Sequence, residues 1–455
     1  MRRFVGAALC GVLAWGFPAG PAGAQDSLRL GLRETEERAL KNSESLRAAE
    51  RELAAARARE RGQRAPLFPQ VSLDGSFRYV SEVAAFRPAA GGPEVKLGDN
   101  ENYSVGPTLS WLMWDSGGSR NRRRSASARR RAKENEAEAA RRNVLLEARL
   151  DYFQVQLALE QVRLLADSLA LAEAQYKDIS LKQKAGAVSR LDALSAHQEV
   201  LSRQRQLRQA QTELSVALRT LLARTRPETP VDPSVTGPVD GLGRWPSLAE
   251  TPTLLLGLED LSVTRGRLEP AVAAAPDTEH PQRMALLQTA ESARRAARAL
   301  AGGGGPVLQF SARTSLDYPN GPKLETIHQN TVGLSARLPL FEAGKSKREA
   351  EEQNEQAAAL EARRDEAAVE LDRAWRQAHD QIKGLTAQLE IARRSVDETE
   401  ELARLTYDSY TAGRSSFIEV QSANLRALEA KVVAARTEVQ ILMQLAIVDG
   451  LSRKG

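Results

Sequence analysis

The sequence predicts a mainly α-helical chain with a β-barrel part: long antiparallel coiled-coil helices and four membrane-type β-strands, arranged as an internal duplication. Three observations predict it. Glycine and proline are almost excluded from two long stretches: Ser119 to Arg226 holds Gly186 and no proline, and Lys345 to Asp449 holds Gly384 and Gly413 and no proline. Short segments elsewhere alternate apolar and polar residues with the period of a strand. The two halves of the chain match each other in a single register over about 90 residues.

Composition agrees with long helices. Ala, Leu, Arg, Glu and Gln dominate, and only 5% of residues are aromatic. A net charge of +5 from 64 basic and 59 acidic residues is nearly balanced, so the charge gives no footprint for a nucleic-acid partner. Beyond the N-terminus no segment approaches the ~18 consecutive apolar residues of a membrane helix, whereas membrane strands stay compatible because their signal is weak per segment.

At the N-terminus, Arg2 and Arg3 precede an apolar run from Phe4 to Phe17, followed by small residues ending in Ala22-Gly23-Ala24. This is the pattern of an export signal over residues 1–24, with cleavage expected after Ala24. A lipid-attachment site at Cys10 would leave only Phe4 to Leu9 as its apolar run, too short for that role. Cleavage removes Cys10, the sole cysteine, and lowers the net charge to +3. Disulfide and thiol chemistry are then excluded from the mature chain.

The first repeat is expected over residues 25–226 and the second over 280–455, each reading helix, strand, strand, long helix, turn, helix. Tyr103-Ser-Val-Gly106 matches Asn330-Thr-Val-Gly333, Trp114-Asp-Ser-Gly117 matches Phe341-Glu-Ala-Gly344, and Gly186, Ser189, Leu191 and Asp192 match Gly413, Ser416, Ile418 and Glu419, all at an offset of 227. Upstream, Pro69 aligns with Pro306, which places a ten-residue insertion in the first hairpin. Residues 227–279 are rich in proline and glycine and poorly periodic, and are expected to belt the outside of the helices.

Val71, Leu73, Phe77 and Tyr79 alternate with Ser72, Asp74, Ser76 and Arg78. Strands are likewise expected around Val105 to Trp111, from Leu308 to Leu316 and from Val332 to Leu340. Four strands cannot close a barrel, and an open sheet edge is not tolerated in lipid, so membrane insertion would demand an oligomer. Ser119 to Ala185 spans 67 residues, roughly 100 Å as a helix, and Gly186 and Gly413 mark the points where each rod folds back. Leu425, Leu428, Val432, Ala435, Val439 and Leu442 form a heptad seam. In the first long helix the seam is expected along Leu146, Leu150, Phe153, Leu157, Leu164 and Leu171, with Leu145, Leu159, Leu165 and Leu169 as a second contact face.

Several motifs favour plain structural roles. Ala343-Gly344-Lys345-Ser346 resembles the end of a phosphate-binding loop, but Pro339 stands where the first glycine belongs, and the duplicate Gly117-Gly118-Ser119 lacks the lysine. The Gly302 to Gly305 run is expected to be a flexible lead into a strand. His197, His280, His328 and His379 lack metal-ligand spacing, and no catalytic motif or cofactor site is apparent. The arginine-rich run Arg120 to Arg131 is expected to be a solvated helix face, against the reading of an anionic-lipid contact.

With the duplicated half, the PLFEAG and WDSGG strand-to-helix junctions and the turns QKAGAVSRLD and YTAGRSSFIE, the sequence resembles the outer-membrane efflux protein family, the TolC type, over essentially the whole mature chain. The resemblance implies a homotrimeric, passive exit duct and not an enzyme. Its twelve-stranded barrel would sit in outer-membrane lipid, continued by a helical tunnel through the periplasm to a periplasmic adaptor and an inner-membrane transporter. It also implies that Glu419 lines the periplasmic constriction, that Tyr410 hydrogen-bonds Asp192 there, and that the turns at Gly186, Ser189, Gly413 and Ser416 dock the adaptor. The family's second constriction acid falls on Ser422, and its arginine falls on Ser415 with Arg414 one position away. The rival class, an envelope-spanning structural coiled coil, has no need of the paired alternating strands.

Overall fold

The computed structural model describes residues 31–87, 91, 94–226 and 261–452; the expected leader and residues 227–260 of the inter-repeat segment lie outside them. The chain runs α1 (Leu32–Asn42), α2 (Glu44–Gly62), β1 (Gln70–Tyr79), β2 (Ala85–Phe86), β3 (Val95–Lys96), β4 (Glu101–Trp114), α3 (Gly118–Lys184), α4 (Arg190–Thr225), α5 (Leu261–Leu268), α6 (Pro281–Ala301), β5 (Val307–Tyr318), β6 (Ile327–Arg337), α7 (Lys345–Thr411) and α8 (Phe417–Leu451). Helices α3 and α7 each hold 67 residues. The first repeat opens with two helices, because Ser43 breaks the run and caps α2 by accepting from the Leu46 N–H. The insertion in the first hairpin forms the small ribbon of β2 and β3.

Strands β1, β4, β5 and β6 pair in that order, antiparallel throughout. The register puts Val71 beside Leu109, Leu109 beside Ala312 and Ala312 beside Val332 on one face. The opposite face carries Asp74, Ser104, Arg313, Asp317 and Gln329. There Ser104 donates to Asp317 at 2.5 Å and Arg313 donates to Ser104 at 2.8 Å. One face is therefore largely apolar and the other largely polar, with Thr314, His328 and Asn330 interrupting the apolar face at β5 and β6. On the apolar face Leu73 is 75% and Val332 72% exposed. The edges, β1 and β6, are both unpaired among the described residues. The expected extension of β6 to Leu340 does not form: Arg337 pairs with Val307, the first residue of β5, and Pro339 beyond it has no N–H for a ladder.

The strand-to-helix junctions repeat. Ser116 and Gly117 take left-handed φ of 52° and 85° before α3, and Ala343 and Gly344 take 52° and 78° before α7. The phosphate-loop-like segment is thus half of a duplicated turn. The glycine run departs from expectation. Residues Gly302–Gly304 form a tight 3₁₀ turn against the first junction, and a Cβ on Gly305 would collide with the Ser116 side chain, whose own Cβ would be 2.7 Å away. These glycines permit close packing and do not serve as a flexible lead.

Near the sheet the helices lie side by side as α2, α3, α6 and α7, and farther away as α4, α3, α8 and α7. Within α3 the buried row is Ala148, Tyr152, Val155, Leu159, Val162 and Leu169, two positions along from the expected seam. Of the expected seam Phe153 is fully buried and Leu171 is 48% exposed, and Leu159 and Leu169, assigned to a second face, belong to the main core. The shift arises because α3 contacts α4 and α8 on different sides, so the buried stripe follows both. In α8, Leu428, Val439 and Leu442 are buried, whereas Leu425 is 41% exposed. The described part of the inter-repeat segment packs along α8, with Leu268 in the core and the Val272 carbonyl 2.9 Å from His379 Nε2. At the same level Arg149 of α3 reaches Glu36 of α1 and Asp449 of α8, each at 2.5 Å. His280 caps α6 by accepting from Gln282 N–H; burial first, then the nearby Arg142 charge, lowers its pKa.

Candidate functional site: the helical tips

The end of the molecule farthest from the sheet is built from two turns. α3 closes with Ala187 N–H donating to the Lys182 carbonyl at 2.9 Å, and α7 closes with Arg414 N–H donating to the Ser409 carbonyl at 2.8 Å. Both closures need a left-handed residue, supplied by Gly186 at φ 75° and Gly413 at φ 72°. Each returning helix begins with a capping box. The Asp192 N–H donates to Ser189 Oγ at 3.1 Å and its carboxylate accepts from Ser189 N–H at 3.3 Å. Ser416 and Glu419 repeat the arrangement at 3.4 and 2.9 Å.

The structure places Gly186, Ser189, Gly413 and Ser416 as the turns themselves, with Asp192 and Glu419 serving as cap acids. The expected bond between Asp192 and Tyr410 is not made. The Tyr410 hydroxyl is buried without a hydrogen-bond partner, and among the described residues the Asp192 carboxylate accepts from Ser189 alone, through Oδ2, with Ser189 Oγ at 2.8 Å. Asp192 acts on the phenol through its field: burial first, and this carboxylate next, raise the Tyr410 pKa. One bond that does cross between hairpins is from the Tyr407 hydroxyl to Asp178, at 3.2 Å. Burial and the Asp178 charge raise the Tyr407 pKa likewise.

Phe417 holds the two tips together. It is 2% exposed and packs with Ile179, Ala196 and Val420, its ring 5.5 Å from that of Tyr410. Gln421 donates to the Ser195 carbonyl and Asn424 to Gln175, both at 3.0 Å. Sequence reasoning missed Phe417, Tyr407 and Asp178. A signal was present in the failures of the repeat: Tyr407, Tyr410 and Phe417 stand opposite Ser180, Gln183 and Arg190.

Glu419 is exposed on the α7–α8 side, in a depression shared with Ser409, Ser415, Ser422 and Arg426. Above the tips a groove of about 600 Å³ separates the hairpins, lined by Leu171, Asp167, Glu400, Tyr407, Asn424 and Lys431. Among the described residues no group of three or more metal-ligating side chains occurs, and no helix is long and apolar enough to cross a membrane.

The family model described as outer membrane efflux protein matches residues 36–225 and 279–446. No curated protein matches the chain significantly. Among solved structures, the outer-membrane channel OprN shares 18% identity at a TM-score of 0.72, over 92% of this chain and 89% of its own. The outer membrane protein VceC of Vibrio cholerae shares 15% at 0.72, over 92% and 95%. The CmeC outer membrane channel of Campylobacter jejuni shares 17% at 0.69, over 92% and 86%.

Proposed function

The chain belongs to the outer membrane efflux protein family, and from that premise we propose that three copies form one passive duct, each giving four strands to a twelve-stranded barrel and its helices to a tunnel through the periplasm. The observation that carries this reading is the sheet. A four-stranded sheet with one apolar face, one polar face and two unpaired edges satisfies neither water nor lipid alone. Closure with copies of itself pairs β1 with β6 of a neighbour, turns the apolar face to lipid and lines the lumen with Asp74, Ser104, Arg313 and Asp317. An efflux protein moves its cargo without transforming it, so no catalytic group is called for. The energy comes from an inner-membrane transporter, reached through a periplasmic adaptor that docks on the tip turns.

In this duct the tips form the periplasmic end. Glu419, once per chain, makes a ring of three negative charges that attracts cations. Asp192 holds its cap at Ser189 through Oδ2, and a bond from the partnerless Tyr410 hydroxyl to its other oxygen would tie the two hairpins together.

Outer-membrane fractionation and unheated gel electrophoresis test the assembly. A heat-sensitive trimer in the outer membrane is expected, and a soluble periplasmic monomer would sink the duct. In planar bilayers Glu419→Ala should weaken cation selectivity. Selectivity equal to the parent's would remove Glu419 from the constriction.

A further inference from the structure

We propose that the outer surface of the helical layer immediately below the sheet is a binding belt for the anionic phospholipid headgroups of the membrane leaflet that faces the periplasm. The inference rests on the membrane-inserted duct. The lower rim of the sheet exposes Phe68, Trp114 and Phe341, at 63%, 56% and 89%; aromatic side chains of this kind settle at headgroup depth. Four helix ends meet the rim. Arg61 and Arg64 lie at the end of α2, Arg120, Arg123 and Arg124 in the first two turns of α3, and Arg298 in the last turn of α6, and all six are exposed.

These arginines share a side. α3 meets α2 through Arg130 and Glu60 at 2.9 Å, and meets α6 through Ser125 and Ser292 at 3.0 Å. At 100° per residue, Arg120, Arg123 and Arg124 fall on one strip between those contacts, and Arg122 and Arg129 on the other. Pairing of β4 with β5 lapses at Gly106 and Pro107, so the side of Pro107 that lacks an N–H faces β5. That fixes the hand of the sheet. With helices α2, α3, α6 and α7 following the strand order, the right-handed winding puts the Arg120 strip beneath the sheet's apolar face. The same construction brings Arg61, Arg64 and Arg298 to that side.

In the first two turns of α3, pairing separates this strip from the opposite one, where Arg129, farther from the sheet, is the arginine without an acidic partner among the described residues. The flanking Arg130 meets Glu60, and Arg122 on the opposite strip meets Asp115 at 3.2 Å. Among the described residues, Arg61, Arg120, Arg123, Arg124 and Arg298 have no acidic partner, and the α3 members also oppose the positive end of their own helix. Farther from the sheet the strip carries Arg131, which donates to Gln288 at 2.9 Å, and then becomes mixed, with Glu134, Glu138 and Arg141. The densest part of the unbalanced charge, Arg120 to Arg124, spans about 6 Å along α3 and adjoins the aromatic rim. That is the depth of a headgroup layer, and the phosphate of an anionic phospholipid supplies the missing charge.

The test uses the full-length protein, solubilised with an equimolar mixture of phosphatidylglycerol and phosphatidylcholine, and counts retained lipid by native mass spectrometry. The parent should prefer phosphatidylglycerol about tenfold at low salt and lose most of that preference near 0.5 M salt. A variant combining Arg61→Gln, Arg120→Gln, Arg123→Gln, Arg124→Gln and Arg298→Gln should retain the two lipids equally and conduct like the parent in neutral-lipid planar bilayers. Equal retention by the parent, or an undiminished preference in the variant, overturns the belt. Loss of conductance in the parent itself would strike the duct instead.

Discussion

At the first tip, α3 ends at Lys184 and α4 begins at Arg190; at the second, α7 ends at Thr411 and α8 begins at Phe417, each 227 positions on. Both turn through a left-handed glycine and restart behind a serine whose box is closed by an acid. The side chains around the two turns have little in common. Ser180, Gln183 and Arg190 surround the first turn, whereas Tyr407, Tyr410 and Phe417 surround the second and bury themselves against α3 and α4. The duplication therefore repeats a backbone solution, and the contact between the copies depends on residues that the repeat does not share. Backbone closure is local and can be copied. A contact between two copies is asymmetric, so one side must supply the knob and the other the hole.

The largest expected effect breaks that asymmetry. Phe417→Ala empties a fully buried site and should lower the free energy of local opening at the tips by about 3–5 kcal/mol, read by hydrogen exchange over residues 411–425. The equivalent change in the first tip, Arg190→Ala, touches an exposed side chain and should stay within about 0.5 kcal/mol. Equal effects at both tips would mean that the second carries no special core.

Much of this architecture is legible from sequence because its determinants are local. The helix limits follow from where glycine and proline are withheld, and the four strands from alternation at Val71, Val105, Leu308 and Val332. What failed did so because tertiary context decided it. The seam of α3 was displaced two residues because a heptad shows that a stripe exists but not which of two flanking helices takes the larger residues. β6 stopped at Arg337 because its partner starts at Val307, which no property of β6 reveals. Gly302 to Gly305 look flexible in sequence, and only the approach of Ser116 shows that they make room. At the tips the turns were legible, whereas the free Tyr410 hydroxyl was not, since the spacing that makes Asp192 a cap does not show whether its second oxygen reaches a phenol on the other hairpin.

The shared half of the comparison can be sharpened with the caps. Ser189→Ala and Ser416→Ala each remove one side-chain acceptor from a first-turn N–H, at a cost of about 1 kcal/mol. If the turns are equivalent backbone devices, hydrogen exchange in the first turns of α4 and α8 should accelerate by the same factor, about fivefold. A much larger effect at Ser416 would show that its cap also supports the Phe417 core.

The smallest effect should appear only at high pH and only at the second tip. Burial, followed by Asp178 for Tyr407 and Asp192 for Tyr410, raises both phenol pKa values in the packed tip. When the tip opens, each phenol returns to an ordinary value of about 10. The packed state therefore holds these protons more tightly than the open state. Its advantage is complete below pH of about 10 and is lost as pH climbs through the raised packed-state values. Under alkaline titration, the difference in phenolate absorbance between the parent and a variant lacking both hydroxyls should show two late-ionising tyrosines, and duct conductance of the parent should rise over the same interval. A variant carrying Tyr407→Phe and Tyr410→Phe keeps the ring packing and, at position 410, removes only a hydroxyl that has no partner. It should lose the late ionisation of these two groups and the conductance step, and at neutral pH it should conduct at least as well as the parent, since the Tyr407–Asp178 bond is gone. The first tip, with Ser180 and Gln183 at the same places, has no phenol there to titrate. A conductance step that survives in the double variant would place the alkaline opening elsewhere in the duct.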